Sequence, residues 1–571
     1  MSTRLICRRR PPGRPTELAR SALLAMVTAA ALWAVGPAGQ AAQPAAQPAA
    51  QPAANPATNP ATNPATTAAA PAGVAWLAAA ADTDIERAFS LARADNKPVL
   101  LYWGAQWCPP CNQLKATLFN RADFIERSKS FVAVHIDGDR PGAQKLGGRF
   151  KVRGYPTMIL MRPDGTEITR LPGEVDAPQV MNVLQLGLAG GRPVKAVLAD
   201  ARSGQPVSGP EWRLLAYYGW DIDEAQLVPA AERASLLAQL SAACPAGEAV
   251  SATRLLLKAL AESDDGKGIK PDAALRQRVS KLLADPVAAR AQMDVLTNAA
   301  TDITRALAPQ PGADRKALVV VFDAALQRLQ ADASLSRADR LGALASRVAL
   351  ARIDLAKDER QPRLAPALVQ QVRAHVARDD REMTDPYERQ AVVGAGAWAL
   401  SEVGLWADSD ALLKANLAKS HSPYYLMSQL AGNARKLGRN DEALRWYEAS
   451  YVRSVGPATR LQWGAGYLSA LVELAPQDEV RIERVARQLF AEAGQDPAAF
   501  HERSARSLQR VGHKLAEWNQ GGRHDAVIRR LNDGAPGQAG LAAVCGKLDA
   551  ADAQRATCDG ILKSALKKAA A

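Results

Sequence analysis

The sequence predicts two folded parts in series: a small α/β domain with a mixed sheet, and behind it a large all-α domain of solenoid-like helical repeats. Three observations predict this. Between Val74 and Gly190, short apolar runs of strand type alternate with segments of helical spacing. After Glu211 the chain turns Ala/Leu/Arg-rich with helical periodicity almost to Ala571, and strand-like runs become scarce. Inside that second part, Gly404 and Gly438 mark two similar segments, WALSEVGLWADSDALLKANL and AGNARKLGRNDEALRWYEAS, at a fixed 34-residue offset. With 571 residues, 48% of them hydrophobic and 23% charged, the chain is long enough for several domains.

Residues 1–42 read as a signal peptide. Six arginines and a single glutamate occupy the first twenty positions, the apolar run SALLAMVTAAALWAV follows from Ser21 to Val35, and small residues then surround Ala38–Ala42. The apolar run is slightly short for a bilayer span, which favours cleavage over an uncleaved anchor. The expected location is therefore extracytoplasmic, periplasmic in a bacterium, where disulfides persist. No membrane span is expected after cleavage. Without the first twenty residues the formal charge falls from +13 to +8 and no basic run remains, so nothing points to nucleic acid. Residues 43–73 repeat Ala, Gln, Asn and Pro without charge or aromatic residue, a composition that cannot bury a core and suits an extended linker.

The α/β domain is expected over 74–190. A helix runs from Asp82 or Thr83 to Ala94, with Ile85, Ala88, Phe89 and Ala92 on one face. Lys97-Pro98 ends it, and Val99–Trp103 is a buried strand. Cys108-Pro109-Pro110-Cys111 opens a second helix, to about Phe119. Phe131–Ile136 is a strand, 143–150 a helix, and Met158–Met161 and Thr166–Arg170 form a hairpin around Pro163-Asp164-Gly165. A last helix runs from Pro178 to Leu188.

Trp107-Cys108-Pro109-Pro110-Cys111 behind a buried strand, Gly154-Tyr155-Pro156-Thr157 some 45 residues later, and Gly173 beyond the hairpin resemble the thioredoxin superfamily. The stretch from Lys97 through Phe119 to the hairpin is most similar to the periplasmic carboxy-terminal domain of DsbD-type thiol:disulfide interchange proteins. The resemblance covers about a fifth of the chain. It implies a redox-active dithiol at Cys108 and Cys111, Trp107 shielding it, and a cis Pro156 that presents the Tyr155 backbone to a substrate strand. It also implies client proteins carrying disulfides and a membrane-borne DsbD-type reductant that restores the dithiol.

The physics of the motif points the same way. Cysteines at i and i+3 on a first helical turn face one side and can bond reversibly. Cys108, at the helix amino end, meets free N–H groups and the positive end of the dipole, which favour its thiolate and make it the attacking sulfur. Cys111, one turn inside, resolves the mixed disulfide. Two prolines between them remove N–H donors from Cys108, which argues for a less oxidising couple and for a reductase or exchanger over an oxidase. The buried Asp and Lys that thioredoxins carry behind the cysteines are replaced by Tyr102 and Ala133, absent together as burial of a lone charge requires. A purely structural Cys108–Cys111 bridge is a weaker reading, since such bridges seldom follow Trp at a strand end, and so is a zinc half-site, since no second CxxC or His-x-His pair accompanies the first. No cofactor is implied. His135 reads as a structural histidine and Asp137-Gly138-Asp139 as a turn.

Residues 191–210, bracketed by Gly190-Gly191-Arg192-Pro193 and Ser203-Gly204-Gln205-Pro206, read as a linker, and 211–571 as the helical domain. Leu-Gly-Arg-x-Asp-Glu-Ala-Leu-x-x-Tyr from Leu437 to Tyr447 looks like a tetratricopeptide repeat, which implies a concave surface for a partner protein. Trp398, Trp406, Trp446 and Trp463 read as core. Cys545 and Cys558 are expected to form a structural disulfide across a terminal helix pair, leaving Cys244 single. The function read from all this is extracytoplasmic thiol–disulfide exchange. Its rival is a non-enzymatic helical adaptor whose α/β domain senses redox state or docks. A cysteine pair sealed under packed side chains, or pointing apart with no proline loop alongside, would take away the enzyme reading and leave the exported helical adaptor.

Overall fold

The computed structural model describes residues 73–173, 176–223, 226–263 and 268–568. Residues 1–42, read as a signal peptide, and all but the last residue of 43–73, read as a linker, lie outside the described residues. In the α/β part the order is β1 (Leu77–Ala79), α1 (Asp82–Asp95), β2 (Val99–Gly104), α2 (Pro109–Thr117), α3 (Ala122–Ser128), β3 (Val132–Asp137), α4 (Ala143–Arg149), β4 (Thr157–Met161), β5 (Glu167–Leu171) and α5 (Ala177–Leu188). The sheet order is β1-β3-β2-β4-β5. β1, β3 and β2 run parallel, and β4 and β5 continue antiparallel.

Every residue of β2 and of β4 is buried, as strands covered on both faces must be. Their alternation separates two cores. Val99, Leu101 and Trp103 pack with Ile85, Phe89 and Leu146 under α1 and α4. Leu100 and Tyr102 face the other way, against Leu114, Phe124, Val183 and Leu184 of α2, α3 and α5. β1 and α3 are additions to the sequence reading; at three and seven residues they are too short for a periodic signal.

The linker expected at 191–210 is corrected. Val194–Ser203 is a helix whose Val194, Val197 and Leu198 are buried. They share one continuous core with Leu100, Leu160 and Leu171 of the sheet and with Trp212, Trp220, Leu237 and Leu255 further on. Gly-Pro punctuation at both ends of a ten-residue helix imitates a tether. Beyond it the buried Arg254 guanidinium donates to both Asp294 carboxylate oxygens at 2.8 and 2.6 Å, and lies over the Tyr217 ring, a bidentate geometry that offsets the cost of burying the charges.

The remaining helices pack as sequential neighbours. The 34-residue offset corresponds to two helix hairpins, Pro386–Glu402 with Trp406–Asn416 and Pro423–Lys436 with Asn440–Arg453. Gly404 and Gly438 occupy the same turn of each, at φ +85° and +73°, a region that favours glycine. Among the described residues no helix is long and apolar enough to cross a membrane.

Alternate helices of this array meet the α/β domain with their first turns. Gln113 Nε2 of α2 donates to Asp339 Oδ1 at 2.7 Å, on the first turn of Arg337–Ala351. Pro386–Glu402 packs along α2. The amino ends of Pro423–Lys436, Pro457–Leu474 and Glu502–Trp518 bring Tyr424 and Tyr425, Thr459, and Arg503 to the same side. The first turns of these helices are thus in contact with the chain's own α/β domain.

Candidate active site

β2 ends at Gly104, the chain turns through Ala105–Trp107, and Cys108 becomes the N-cap of α2. Pro109 and Pro110 take the first two helical positions, where a missing N–H leaves nothing unsatisfied and the fixed φ suits the helix. The next N–H, that of Cys111, donates to Cys108 Sγ at 3.2 Å. The two cysteines are disulfide-bonded, with Cα atoms 5.3 Å apart. The Tyr155–Pro156 bond is cis, and the Tyr155 carbonyl oxygen lies 3.5 Å from Cys108 Sγ. Five residues singled out from sequence, Trp107, Cys108, Cys111, Tyr155 and Pro156, are thereby gathered in one place.

The surroundings differ from the sequence reading. Cys108 is 2% exposed and Cys111 is fully buried, in a cluster with Ala105, Trp107, Tyr424 and Trp463 flanked by Tyr155 and Tyr425. The pair is thus sealed under packed side chains from two distant helices, the arrangement that tells against the enzyme reading of the sequence. Trp107 shields the pair from one side, its ring 5.1 Å from that of Trp463 and 6.0 Å from that of Tyr425. Burial pushes the phenols of Tyr424 and Tyr425 up to about 12, so both stay protonated at neutral pH.

A polar group binds the edge of this cluster. Trp107 Nε1 donates to Asp139 Oδ2 and to Thr459 Oγ1, each at 3.0 Å. Thr459 Oγ1 and Arg503 Nη2 both donate to Asp139 Oδ1. The Arg503 guanidinium lies 5.3 Å from the ring centres of both Trp107 and Tyr155, a favourable placement for a cation on desolvated rings. Gln144 connects the same parts: its Nε2 donates to Tyr155 Oη at 3.0 Å, and its Oε1 accepts from the Arg503 N–H at 3.0 Å. Asp139, read from sequence only as part of a turn, is in that turn, with its N–H on Asp137 Oδ1 at 3.0 Å. Its carboxylate does the joining.

Behind the pair, Tyr102 occupies the place of the missing acid. Its Oη is buried without a hydrogen-bond partner, and its ring stacks on His135 at 5.0 Å. Burial, with Lys115 and Arg140 nearby, lowers His135 to about 4, so it is neutral. Burial also raises Asp137. Among the described residues no cluster of three or more His, Cys, Asp or Glu could hold a metal ion. Asp139, Thr459, Arg503, Tyr424, Tyr425 and Gln390 were missed from sequence, and Trp463, read as core, lies at the seam. Three helices of this face start with proline, at Pro386, Pro423 and Pro457, but Arg337–Ala351 and Glu502–Trp518 do not.

Residues 85–187 match the model of the family described as "Thioredoxin-like domain". This segment is a thioredoxin-like domain. Over 98 residues the chain is 35% identical to the Thiol:disulfide interchange protein DsbD of Pseudomonas fluorescens, covering 16% of this chain and 17% of that protein. A second relative, Thiol:disulfide interchange protein DsbD 2 of Pseudomonas aeruginosa, is 30% identical over 112 residues, 19% of each chain. The chain thus spans less than a fifth of the length of these curated relatives. A solved thioredoxin from Thermus thermophilus aligns at 24% identity with a TM-score of 0.18, covering 20% of this chain and 86% of that one.

The other cysteines are separate from this site. Cys545 and Cys558 are bonded, Cα to Cα 5.6 Å, inside the terminal apolar cluster with Leu541, Val544, Ile561 and Leu562. Cys244 is a half-buried free thiol, pushed up to about 11 by burial and by the Glu248 charge.

Proposed function

We propose that the protein is an extracytoplasmic thiol–disulfide oxidoreductase acting on client protein disulfides. In its reduced form the Cys108 thiolate attacks one sulfur of a client disulfide, forming a mixed disulfide and releasing the first client thiolate. Cys111 then attacks Cys108 Sγ, closes the Cys108–Cys111 bond and releases the second thiolate. Two electrons pass to the client, and an external dithiol donor, membrane-borne and of DsbD type, restores the pair. Trp107 borders the sulfurs, and the Tyr155–Pro156 loop offers its backbone to the client strand. The tetratricopeptide-like helices select or hold the client.

The observation that carries this reading is the bonded pair at the amino end of α2 beside a cis-proline loop, 3.5 Å from Cys108 Sγ to the Tyr155 oxygen. The experiment is insulin reduction under dithiothreitol by the full chain and by Cys108→Ser. The wild type is expected to exceed the uncatalysed rate and the variant to match it; equal rates for both would overturn the reading. A second reading has one observation of its own. At 2% exposure Cys108 offers no line of attack in the closed form, which suits an adaptor whose thioredoxin-like domain is a docking or sensing module. In that case the wild type itself stays at background.

A further inference from the structure

We propose that the helical region is a closable cover on the dithiol, latched at Asp139, and that Cys108 reacts only when the latch parts. The closure follows from geometry alone; that its opening regulates exchange rests on the function proposed above.

An attacking sulfur must approach along the axis of the bond it breaks, and this direction has to be free of atoms. Here Tyr424 and Trp463 pack with Cys108 and Cys111 in one buried cluster, so no thiol or disulfide larger than the cluster's own voids reaches either sulfur. Beside this aromatic cluster, the cover is held by polar groups that water can replace. Asp139 accepts from Trp107, Thr459 and Arg503. Gln390 Nε2 donates to the Trp107 carbonyl at 3.1 Å, and His421 Nε2 lies 3.1 Å from the Gln106 carbonyl oxygen. Exchanging such bonds for water costs far less than exposing an apolar core. The fit is close at one more point: Gly456, at φ +88°, leads into the helix that carries Thr459, and a Cβ there would stand 2.7 Å from Asp139 Cβ and 2.9 Å from its carbonyl oxygen.

The seam is already open on one side. A cleft of about 440 Å³ runs between the two parts, with Gln106, Lys115, His135 and Asp137 on the thioredoxin-like wall and Tyr387 and His421 on the helical wall. Gln106 is two residues from Cys108, so separation of these walls leads directly to the sulfurs. Restricted access of this kind slows exchange with every thiol or disulfide, small or protein-borne, until the latch parts and Tyr424 and Trp463 are displaced.

The test uses the full chain with Cys7→Ser, Cys111→Ser and Cys244→Ser, in which Cys108 is the single free thiol and Cys545–Cys558 stays bonded. Labelling with a 5-kDa maleimide-polyethylene glycol is followed in native buffer and in guanidinium. Native labelling is expected to be on the order of 100-fold slower than unfolded, and Arg503→Ala or Thr459→Val to raise the native rate about tenfold or more. Thr459→Val keeps the side-chain volume, and a cooperative thermal transition checks that each variant is folded. Native labelling within a few-fold of the unfolded rate, or folded latch variants that label no faster, would overturn the cover. Insulin reduction by Thr459→Val with both active cysteines present separates the two ideas. Faster labelling without turnover in any form removes the enzyme reading and keeps the cover; turnover with unprotected Cys108 does the reverse.

Discussion

Two disulfides are present among the described residues, and both are buried, yet they sit in opposite kinds of surroundings. Cys545–Cys558 joins residues 13 apart within one apolar cluster contributed by neighbouring helices. Cys108–Cys111 joins residues three apart at a helix start, beside a cis-proline loop, and under side chains from more than 300 residues away. Burial by itself therefore does not tell a structural bridge from a reactive one. What matters is whether the covering groups belong to the same core as the cysteines or to a separate surface held on by exchangeable polar contacts.

The sharpest way to break this comparison is to remove one sulfur from each pair. Cys108→Ser is expected to reduce insulin turnover to the uncatalysed background, whereas Cys558→Ser keeps turnover per folded molecule. Equal losses in the two variants would erase the distinction. Next in size is stability. Opening the 13-residue loop by Cys558→Ser should cost about 3 kcal/mol in chain entropy, measured by denaturant unfolding, while Cys111→Ser, which opens a loop of residues only three apart, should cost clearly less.

How far the sequence led differs between the two regions in the same way. The strands of the thioredoxin-like domain were legible because Val99–Gly104 and Thr157–Met161 are buried on both faces and spell continuous apolar runs. Trp107, Cys108, Cys111, Tyr155 and Pro156 carried their own motif. The cover was illegible. Asp139 meets Thr459 and Arg503 across more than 300 residues, and no local period records such a meeting. Trp463 reads as core in sequence by its helical spacing and it is buried, but its burial, like that of Tyr424, is against another domain, which is a fact of docking.

A smaller effect is expected at the third thiol. Cys244 is raised to about 11, so at pH 8 it should react with iodoacetamide roughly tenfold or more slowly than an unfolded cysteine, because little of it is thiolate. A rate equal to that of a model thiol would contradict its placement. The mildest prediction concerns acid. Burial lowers His135, His421 and His501 from the ordinary histidine value, His135 to about 4. Such groups bind protons more readily when unfolded, so their contribution is complete above about pH 6.5 and is lost as pH falls towards 4. For His135 the loss is on the order of 1–2 kcal/mol after allowing for its partial exposure. His135→Gln should flatten that part of the stability curve; an unchanged slope would mean the ring is free to titrate in the native protein.

The core that runs without a break from Leu100 to Ala259 governs how this molecule can be dissected. A fragment cut after Leu188, where its homology to thioredoxin-like proteins ends, would lay bare the surfaces that Val194, Leu198, Trp212 and Leu237 now cover. The smallest excisable unit carrying the cysteine pair must extend through the helix Ala249–Ala261, so any natural shuffling of this module would have had to carry those extra helices along.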